Sequence, residues 1–288
     1  MRLAIGAVQF GLDYGVSNTA GKTHPDEAAR ILSRARLTGI DTLDTAAAYG
    51  DSEQVLGNVG VGNWKIVTKV PPLPGDHVDG KEWVLSHVRQ SLSRLQVDRL
   101  DGLLLHNPAD ILRSQGVNIA AGLMKAKADG LVEKVGYSIY SPQLLPNLLR
   151  AMTPDLVQAP FSIFDQRLVK SGWLGRLSDS GIEVHTRSIF LQGLLLMQQR
   201  LRPVYFERWA SLWQQWDSLV DEYGGSELTV CIGFTKAKTG ISRIIVGVEN
   251  LQHLEELITI WPDAPTIEGA GLSCNDPQLI EPSNWKLK

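Results

Sequence analysis

The stretch Asp41-Thr42-Leu43-Asp44-Thr45-Ala46-Ala47-Ala48-Tyr49-Gly50-Asp51-Ser52-Glu53 reads as a strand, a short turn and the opening of a helix. An apolar-leaning run enters Asp44, and Tyr49 follows just before a Gly50-Asp51-Ser52 turn that starts the helix. A strand buried on both faces tolerates a carboxylate only where it reaches a rim, so Asp44 marks the strand's functional end. A tyrosine beside that rim can serve as a proton donor if a neighbour stabilises the charge left behind.

Two later runs have the same form. Ile66-Val67-Thr68-Lys69-Val70 is β-branched with a lysine near its end, and Leu103-Leu104-Leu105 stops at His106. Asp44, Tyr49, Lys69 and His106 therefore converge on one rim. Taken singly, each has a plain alternative: a turn cap, a surface lysine, a hydrogen-bonded rim histidine. Their order and their common placement at strand ends favour a joint role.

The rest of the chain repeats the unit. A first strand spans 3–10, and the Gly11-Leu12-Asp13-Tyr14-Gly15 loop after it lies where backbone can approach a ligand. Thr23-His24-Pro25-Asp26 opens a helix whose buried stripe is Ala28, Ile31, Leu32 and Ala35, and Gly39 ends it. Strand 40–45 precedes helix 52–57, and strand 65–70 precedes helix 81–96, with Val84, Leu85, Val88, Leu92 and Leu95 inward. Strand 100–106 and helix 117–129 follow, then strand 134–139 and helix 142–152, then strand 156–161 and helix 168–179. Strand 183–188 leads to a long helical region within 203–238, and strand 243–248 to helix 250–260. Eight β-then-α units with short connections predict an α/β fold, a closed (β/α)8 TIM barrel forming a single domain over 1–288.

Composition narrows the function. The 288 residues are 43% hydrophobic, enough for one large core, and a net charge of -3 gives no basic field for nucleic acid or an anionic membrane. There is no run of apolar residues long enough to span a bilayer, and Met1 to Gly6 enters a strand without a signal-peptide core, so a soluble cytoplasmic protein is expected. Cys231 and Cys274 are too isolated for a disulfide framework or a metal site and read as inert. His24, His77 and His87 read as solvated, and His185 as a packing residue. Tyr205, Phe206, Trp209, Trp213 and Trp216 recur at helical spacing and read as packing surface. The Pro- and Gly-rich segment 262–288 reads as an irregular C-terminal strap.

Further ordered motifs join the rim residues: Thr68-Lys69, Ser91-Leu92-Ser93-Arg94-Leu95 before Asp101, Gly136-Tyr137-Ser138, Gln158, Gln192-Gly193-Leu194-Leu195, and Asp276-Pro277 with Pro282-Ser283-Asn284-Trp285. Together they resemble the aldo-keto reductases over nearly the whole chain. The resemblance implies a (β/α)8 barrel that reduces a small-molecule aldehyde or ketone, with a nicotinamide cofactor lying extended across the C-terminal rim. It implies Tyr49 as the proton donor to the carbonyl oxygen, Lys69 as the cation that favours release of that proton, Asp44 as its partner, and His106 as the group orienting the carbonyl. No metal is required.

The cofactor side departs from the family pattern. Ser138 and Gln158 stand where the resemblance expects contacts to the nicotinamide carboxamide, but Ile139 replaces a polar residue and can neither donate nor accept. Arg187 occupies the position that commonly stacks on the nicotinamide. A cation there favours the neutral, reduced ring over the positive, oxidised one. After the last strand come Gly247, Val248, Glu249 and Asn250, with His253 at the expected arginine position. A carboxylate near a phosphate is repulsive but can accept from ribose hydroxyls, so the cofactor expected is NADPH or NADH, with a lean to NADH. The helix starting near Asn250 is expected to offer free N–H groups to a phosphate. Tyr14, Asn107 and Phe190 are expected to line the substrate pocket, and the polar rim made by Asn107 and Arg187 suits a sugar-like or small polar carbonyl compound. The altered cofactor positions allow a second reading, a regulatory or binding protein that senses cofactor on the same barrel. The outer helices give no signal of oligomeric state.

Overall fold

Alternation of side chains along short apolar strands sets the architecture. The computed structural model describes every residue except Gly225, Ala270 and Lys288. Its strands are β1 (Leu3–Gly6), β2 (Thr42–Asp44), β3 (Lys65–Val70), β4 (Leu100–Leu105), β5 (Val132–Ser138), β6 (Leu156–Pro160), β7 (Glu183–Arg187) and β8 (Arg243–Gly247). Each pairs in parallel with the next, and β8 closes onto β1 in a register running from Leu3 opposite Ile244 to Gly6 opposite Gly247. The expected (β/α)8 barrel is thus the fold. Outward residues such as Ile5, Leu43, Leu103 and Val157 join the large core beneath the helices, while Val67, Leu104 and Leu156 form a small apolar cluster of their own.

Several boundaries differ from expectation for identifiable reasons. The first strand stops at Gly6, and Val8–Gly11 is a helical turn. Both neighbours end there too: β8 at Gly247 and β2 at Asp44, whose carbonyl accepts from Ala7 N at 2.8 Å, so no ladder remains to extend 8–10 as a strand. The seventh strand ends at Arg187 because Ser188 has a φ of 62°. The helix expected over 142–152 is a 3-10 turn, Pro142–Leu144, followed by Leu145–Ala151. That over 168–179 is broken at Gly172, φ 76°, into Arg167–Lys170 and Trp173–Asp179. The long region 203–238 divides into a 3-10 segment, Val204–Trp209, and two helices, Ala210–Glu222 and Glu227–Lys236. Leu92 is half-buried, whereas Val84, Leu85, Val88 and Leu95 are buried as expected.

The aromatic row and the C-terminal segment pack against each other. Phe206, Trp213 and Trp216 are buried. Tyr205 donates its hydroxyl to the carbonyls of Gln278 and Asn284, and the Trp285 ring meets Phe206 edge-on at 4.9 Å. Within the segment, Pro277–Ile280 and Pro282–Asn284 are short helical turns. Burial pushes the Cys231 and Cys274 thiols upward, which keeps both protonated and poorly nucleophilic. Among the described residues no helix is long and apolar enough to cross a membrane, and no cluster of His, Cys, Asp or Glu has the arrangement of a metal site.

Candidate active site

The C-terminal ends of the strands open into a cavity of about 650 Å³ whose wall includes Asp44, Tyr49, His106, Arg187, Gly247, Glu249 and His253. Its position follows from backbone contacts that leave no room for side chains. A Cβ on Gly11 would lie 1.9 Å from the Tyr49 carbonyl oxygen, and one on Gly50, whose φ is 56°, would lie 2.3 Å from the Gly11 carbonyl oxygen. The turns after β1 and β2 therefore touch backbone to backbone, which sets the place of Tyr49. Ser52 and Glu53 bolt the following helix (Ser52–Val59) to the barrel. Ser52 donates to the Ala7 carbonyl at 2.7 Å; Glu53 is buried and accepts from Thr68 at 2.6 Å and Arg94 at 2.7 Å.

Lys69 and Asp44 form a buried ion pair, with side-chain exposures of 0% and 6%. Lys69 Nζ donates to both Asp44 oxygens, at 2.9 and 2.8 Å, and to the Thr45 carbonyl at 2.8 Å, so three acceptors meet its three donors. Burial alone would push the Lys69 ammonium down, but the Asp44 carboxylate outweighs it and the group is held above its ordinary value as a fixed cation. Its Nζ lies 4.9 Å from the centre of the Tyr49 ring. With its donors occupied by Asp44 and Thr45, Lys69 meets the Tyr49 ring face without a hydrogen bond to it.

Tyr49 and His106 meet edge to face, ring centres 5.6 Å apart. Burial, then the charges of Lys69 and Arg187, push the His106 imidazole down to about 4. It is therefore neutral at ordinary pH, able to donate one N–H. The same shift makes acid destabilising: below the ordinary value of 6.5 the unfolded chain takes up a proton that folded His106 refuses until pH about 4. Between pH 7 and 5 this costs on the order of 2 kcal/mol. Urea unfolding at the two pH values is expected to show that loss, and His106→Gln to remove it.

Other expected residues fall into place unevenly. Tyr14 and Phe190 line the cavity. Burial raises the Tyr14 hydroxyl above its ordinary value, with Tyr49 adding to the effect and Arg187 opposing it. Tyr14 accepts from Gln192 Nε2 at 2.9 Å. Asn107 is not on the wall; its amide donates to Asp110 at 2.9 Å, and Asp110 also accepts from Leu73 N, tying two loops together. Ser138 and Gln158 are buried behind the wall: Ser138 donates to Gln158 at 3.3 Å, and Gln158 donates to Asp44 at 2.6 Å. In this arrangement they support the Lys69–Asp44 pair. Ile139 is in the core, and its carbonyl accepts from Arg187.

Sequence reasoning passed over Gln9, Tyr140 and Glu256, and gave Gln192 no role beyond its motif, yet all four line the cavity. Gln9 is buried, and its Oε1 has no hydrogen-bond partner among the described residues. It lies against Gly247, where a Cβ would come within 2.5 Å of Gln9 Nε2. Gln192 has a φ of 56°, in a loop where Ser188 and Leu191 also lie in left-handed backbone; that strained turn brings it to Tyr14. At the far end of the cavity the helix Leu251–Ile260 begins, and its first turn is largely satisfied by the protein. Glu27 accepts from Leu251 N at 2.6 Å and Asn250 Oδ1 from His253 N at 2.9 Å. The expectation of free N–H groups there is corrected: a carboxylate from the helix Pro25–Leu37 already occupies the end. Glu249 is half-buried beside it, its carboxyl raised by burial, and its Oε2 lies 4.0 Å from His253 Nδ1.

Comparison with known proteins identifies the family. The sequence profile of the Aldo/keto reductase family matches residues 2–265. An uncharacterized oxidoreductase of Bacillus subtilis is 23% identical over 259 residues, 82% of each chain. The 6-dehydroglucose reductase of Novosphingobium aromaticivorans is 31% identical over 156 residues, which is 48% of this chain and 49% of that one. Among solved structures, an aldo-keto reductase of Bacillus halodurans superposes with a TM-score of 0.72 at 20% identity, covering 92% of this chain and 87% of that one.

Proposed function

The chain belongs to the aldo/keto reductase family, oxidoreductases that use NAD(P)H on small-molecule carbonyl compounds, and from that premise we propose that it reduces an aldehyde or ketone to an alcohol with Tyr49 as general acid. The observation that carries the reading is the buried Lys69–Asp44 pair beneath Tyr49 and His106 at the wall of the cavity. Holding two charges out of water is costly, and a scaffold has no use for a fixed cation behind a tyrosine.

The cavity suits a dinucleotide. An extended wall runs from Tyr49 and His106 to Glu249, His253 and Glu256, and the absence of a side chain at Gly247 leaves room for the buried Gln9 amide behind the middle of it. When bound, the nicotinamide supplies hydride to the carbonyl carbon. The remaining work falls to this chain's own residues. Neutral His106 donates an N–H to the carbonyl oxygen and orients it. Tyr49 gives that oxygen its proton as negative charge develops. Lys69, with Nζ 4.9 Å from the Tyr49 ring, stabilises the charge left on the phenol oxygen. Asp44, braced by Gln158 and Ser138, holds Lys69 in place. Tyr14, fixed by Gln192, and Phe190 form the substrate side of the wall. A sugar-like or small polar carbonyl compound suits this rim, in line with the name of the 6-dehydroglucose reductase.

NADH is the better-fitting cofactor. A 2′-phosphate near the helix Leu251–Ile260 would face Glu249 and Glu256 on the cavity wall, with His253 the basic group beside them. Titration of the protein with NADH, NADPH and their oxidised forms, followed by tryptophan quenching, is expected to rank NADH above NADPH by about tenfold. Equal affinities would remove the acidic end as a determinant. Failure of all four to bind a folded sample would remove the reductase reading.

A further inference from the structure

Arg187 is a cation without a counter-charge among the described residues. It ends β7 on the cavity wall, half-buried, where Tyr49 and His106 also stand. Its guanidinium donates to the Ile139 carbonyl at 3.2 Å and to Ser188 Oγ at 3.3 Å, both neutral, and its Cζ lies 4.4 Å from the centre of the Tyr140 ring. Among the described residues no carboxylate pairs with it. The neighbouring cations are treated differently: Lys69 is neutralised by Asp44, and Arg167 by Asp165 and Glu281. Asp44 itself is taken up by Lys69 and Gln158. The remaining acids of the cavity, Glu227, Glu249 and Glu256, belong to segments after β7, and His253 is beside Glu249.

Five N–H donors in a fixed fork, two of them used on neutral acceptors and the plane braced on an aromatic face, make a preorganised receptor for a bidentate anion. The charge is felt across the site, since it helps push His106 down and opposes the rise at Tyr14. Leaving such a charge half out of water without a partner is unfavourable, which a ligand anion would relieve.

We propose that Arg187 pairs with an anionic group, a carboxylate or phosphate, carried by the carbonyl substrate. The inference rests on the reductase reading and deepens it. The cofactor's own phosphates are the other source of such an anion. They are separated from the nicotinamide by a ribose, whereas Arg187 belongs to the Tyr49–His106 end, so the observations favour the substrate. An anion there also offsets the field that a bare guanidinium imposes on the nicotinamide ring.

The test uses the full chain saturated with NADH. Binding of butyrate and propyl phosphate is compared with that of butyramide by the change in bound-NADH fluorescence, in wild type, Arg187→Met and Arg187→Lys. Reduction of 4-oxobutanoate and 4-oxobutanamide is measured alongside. The proposal expects at least one anion to bind wild type about tenfold or more tightly than the amide. It expects that ratio to fall to about one in Arg187→Met and to be partly kept in Arg187→Lys. Equal binding of anions and amide in wild type, or a preference that survives Arg187→Met, overturns it. Loss of NADH affinity in Arg187→Met, with no anion preference in wild type, transfers the guanidinium to the cofactor phosphates and equally overturns it. A wild-type protein that binds no dinucleotide refutes the reductase reading, an outcome distinct from an absent anion preference on an intact NADH complex.

Discussion

Replacing Tyr49 with phenylalanine is expected to lower kcat by about 10³- to 10⁴-fold while leaving dinucleotide affinity within about twofold. Phenylalanine keeps the ring, so the edge contact with His106 at 5.6 Å and the position over Lys69 at 4.9 Å are retained. The backbone is held independently, through the contact of residues 49–50 with Gly11. Only the hydroxyl is lost. His106 is unable to replace it, because an imidazole held to about 4 carries no spare proton at neutral pH. Steady-state kinetics, cofactor titration and an unfolding midpoint on the same sample separate a missing proton from a damaged site. A Tyr49→Phe protein retaining more than about a tenth of the wild-type kcat would show that the proton comes from elsewhere.

The second large effect is at Lys69. Lys69→Met removes one half of a pair with side-chain exposures of 0% and 6%, leaving the Asp44 carboxylate buried with the Gln158 amide at 2.6 Å. Breaking a buried pair on one side costs about 3–5 kcal/mol, enough to lower the unfolding midpoint by roughly 10 °C in a domain of this size. Adding Asp44→Asn takes away the orphaned charge and is expected to recover most of that stability. It is not expected to recover turnover, since the cation behind Tyr49 is still missing; kcat of the double variant stays about 10²-fold or more below wild type. Recovery of both stability and activity would reduce the pair to a structural role.

The barrel and the convergence of Asp44, Tyr49 and His106 were legible because buried parallel strands are nearly pure apolar runs, in which a lone charged residue at a strand end stands out, and Tyr49 follows one such end in the turn before a helix. Lys69 was legible for the same reason, although it lies behind the wall. What escaped the sequence depended on partners far along the chain. Val8, Gln9 and Phe10 look like more strand; only the endings of β2 and β8 dictate the turn that carries Gln9 to the cavity. Gln158 has two possible tasks written into one amide, and the structure gives it to Asp44, 114 residues away. Asn107 is drawn from the wall by Asp110, and Glu27 takes the Leu251 N–H across 224 residues. Gln192 reaches Tyr14 only because its backbone is left-handed, a conformation no local residue choice announces. Arg187 stands out in the sequence as a cation; that no carboxylate among the described residues pairs with it is visible only in the folded chain, where Asp44 is taken up by Lys69 and Asp165 and Glu281 by Arg167.

Nicotinamide-dependent carbonyl reduction with Tyr49 as acid is open to a direct measurement, the passage of deuterium from NADH labelled at C4 of the nicotinamide into the product alcohol. The wild-type protein is expected to place the label on the former carbonyl carbon, and Tyr49→Phe, with cofactor still bound, to do so at least about 10³-fold more slowly. Label transfer at the same rate in both proteins would contradict the role given to Tyr49, and no transfer from a wild-type protein that binds NADH would contradict the reductase itself.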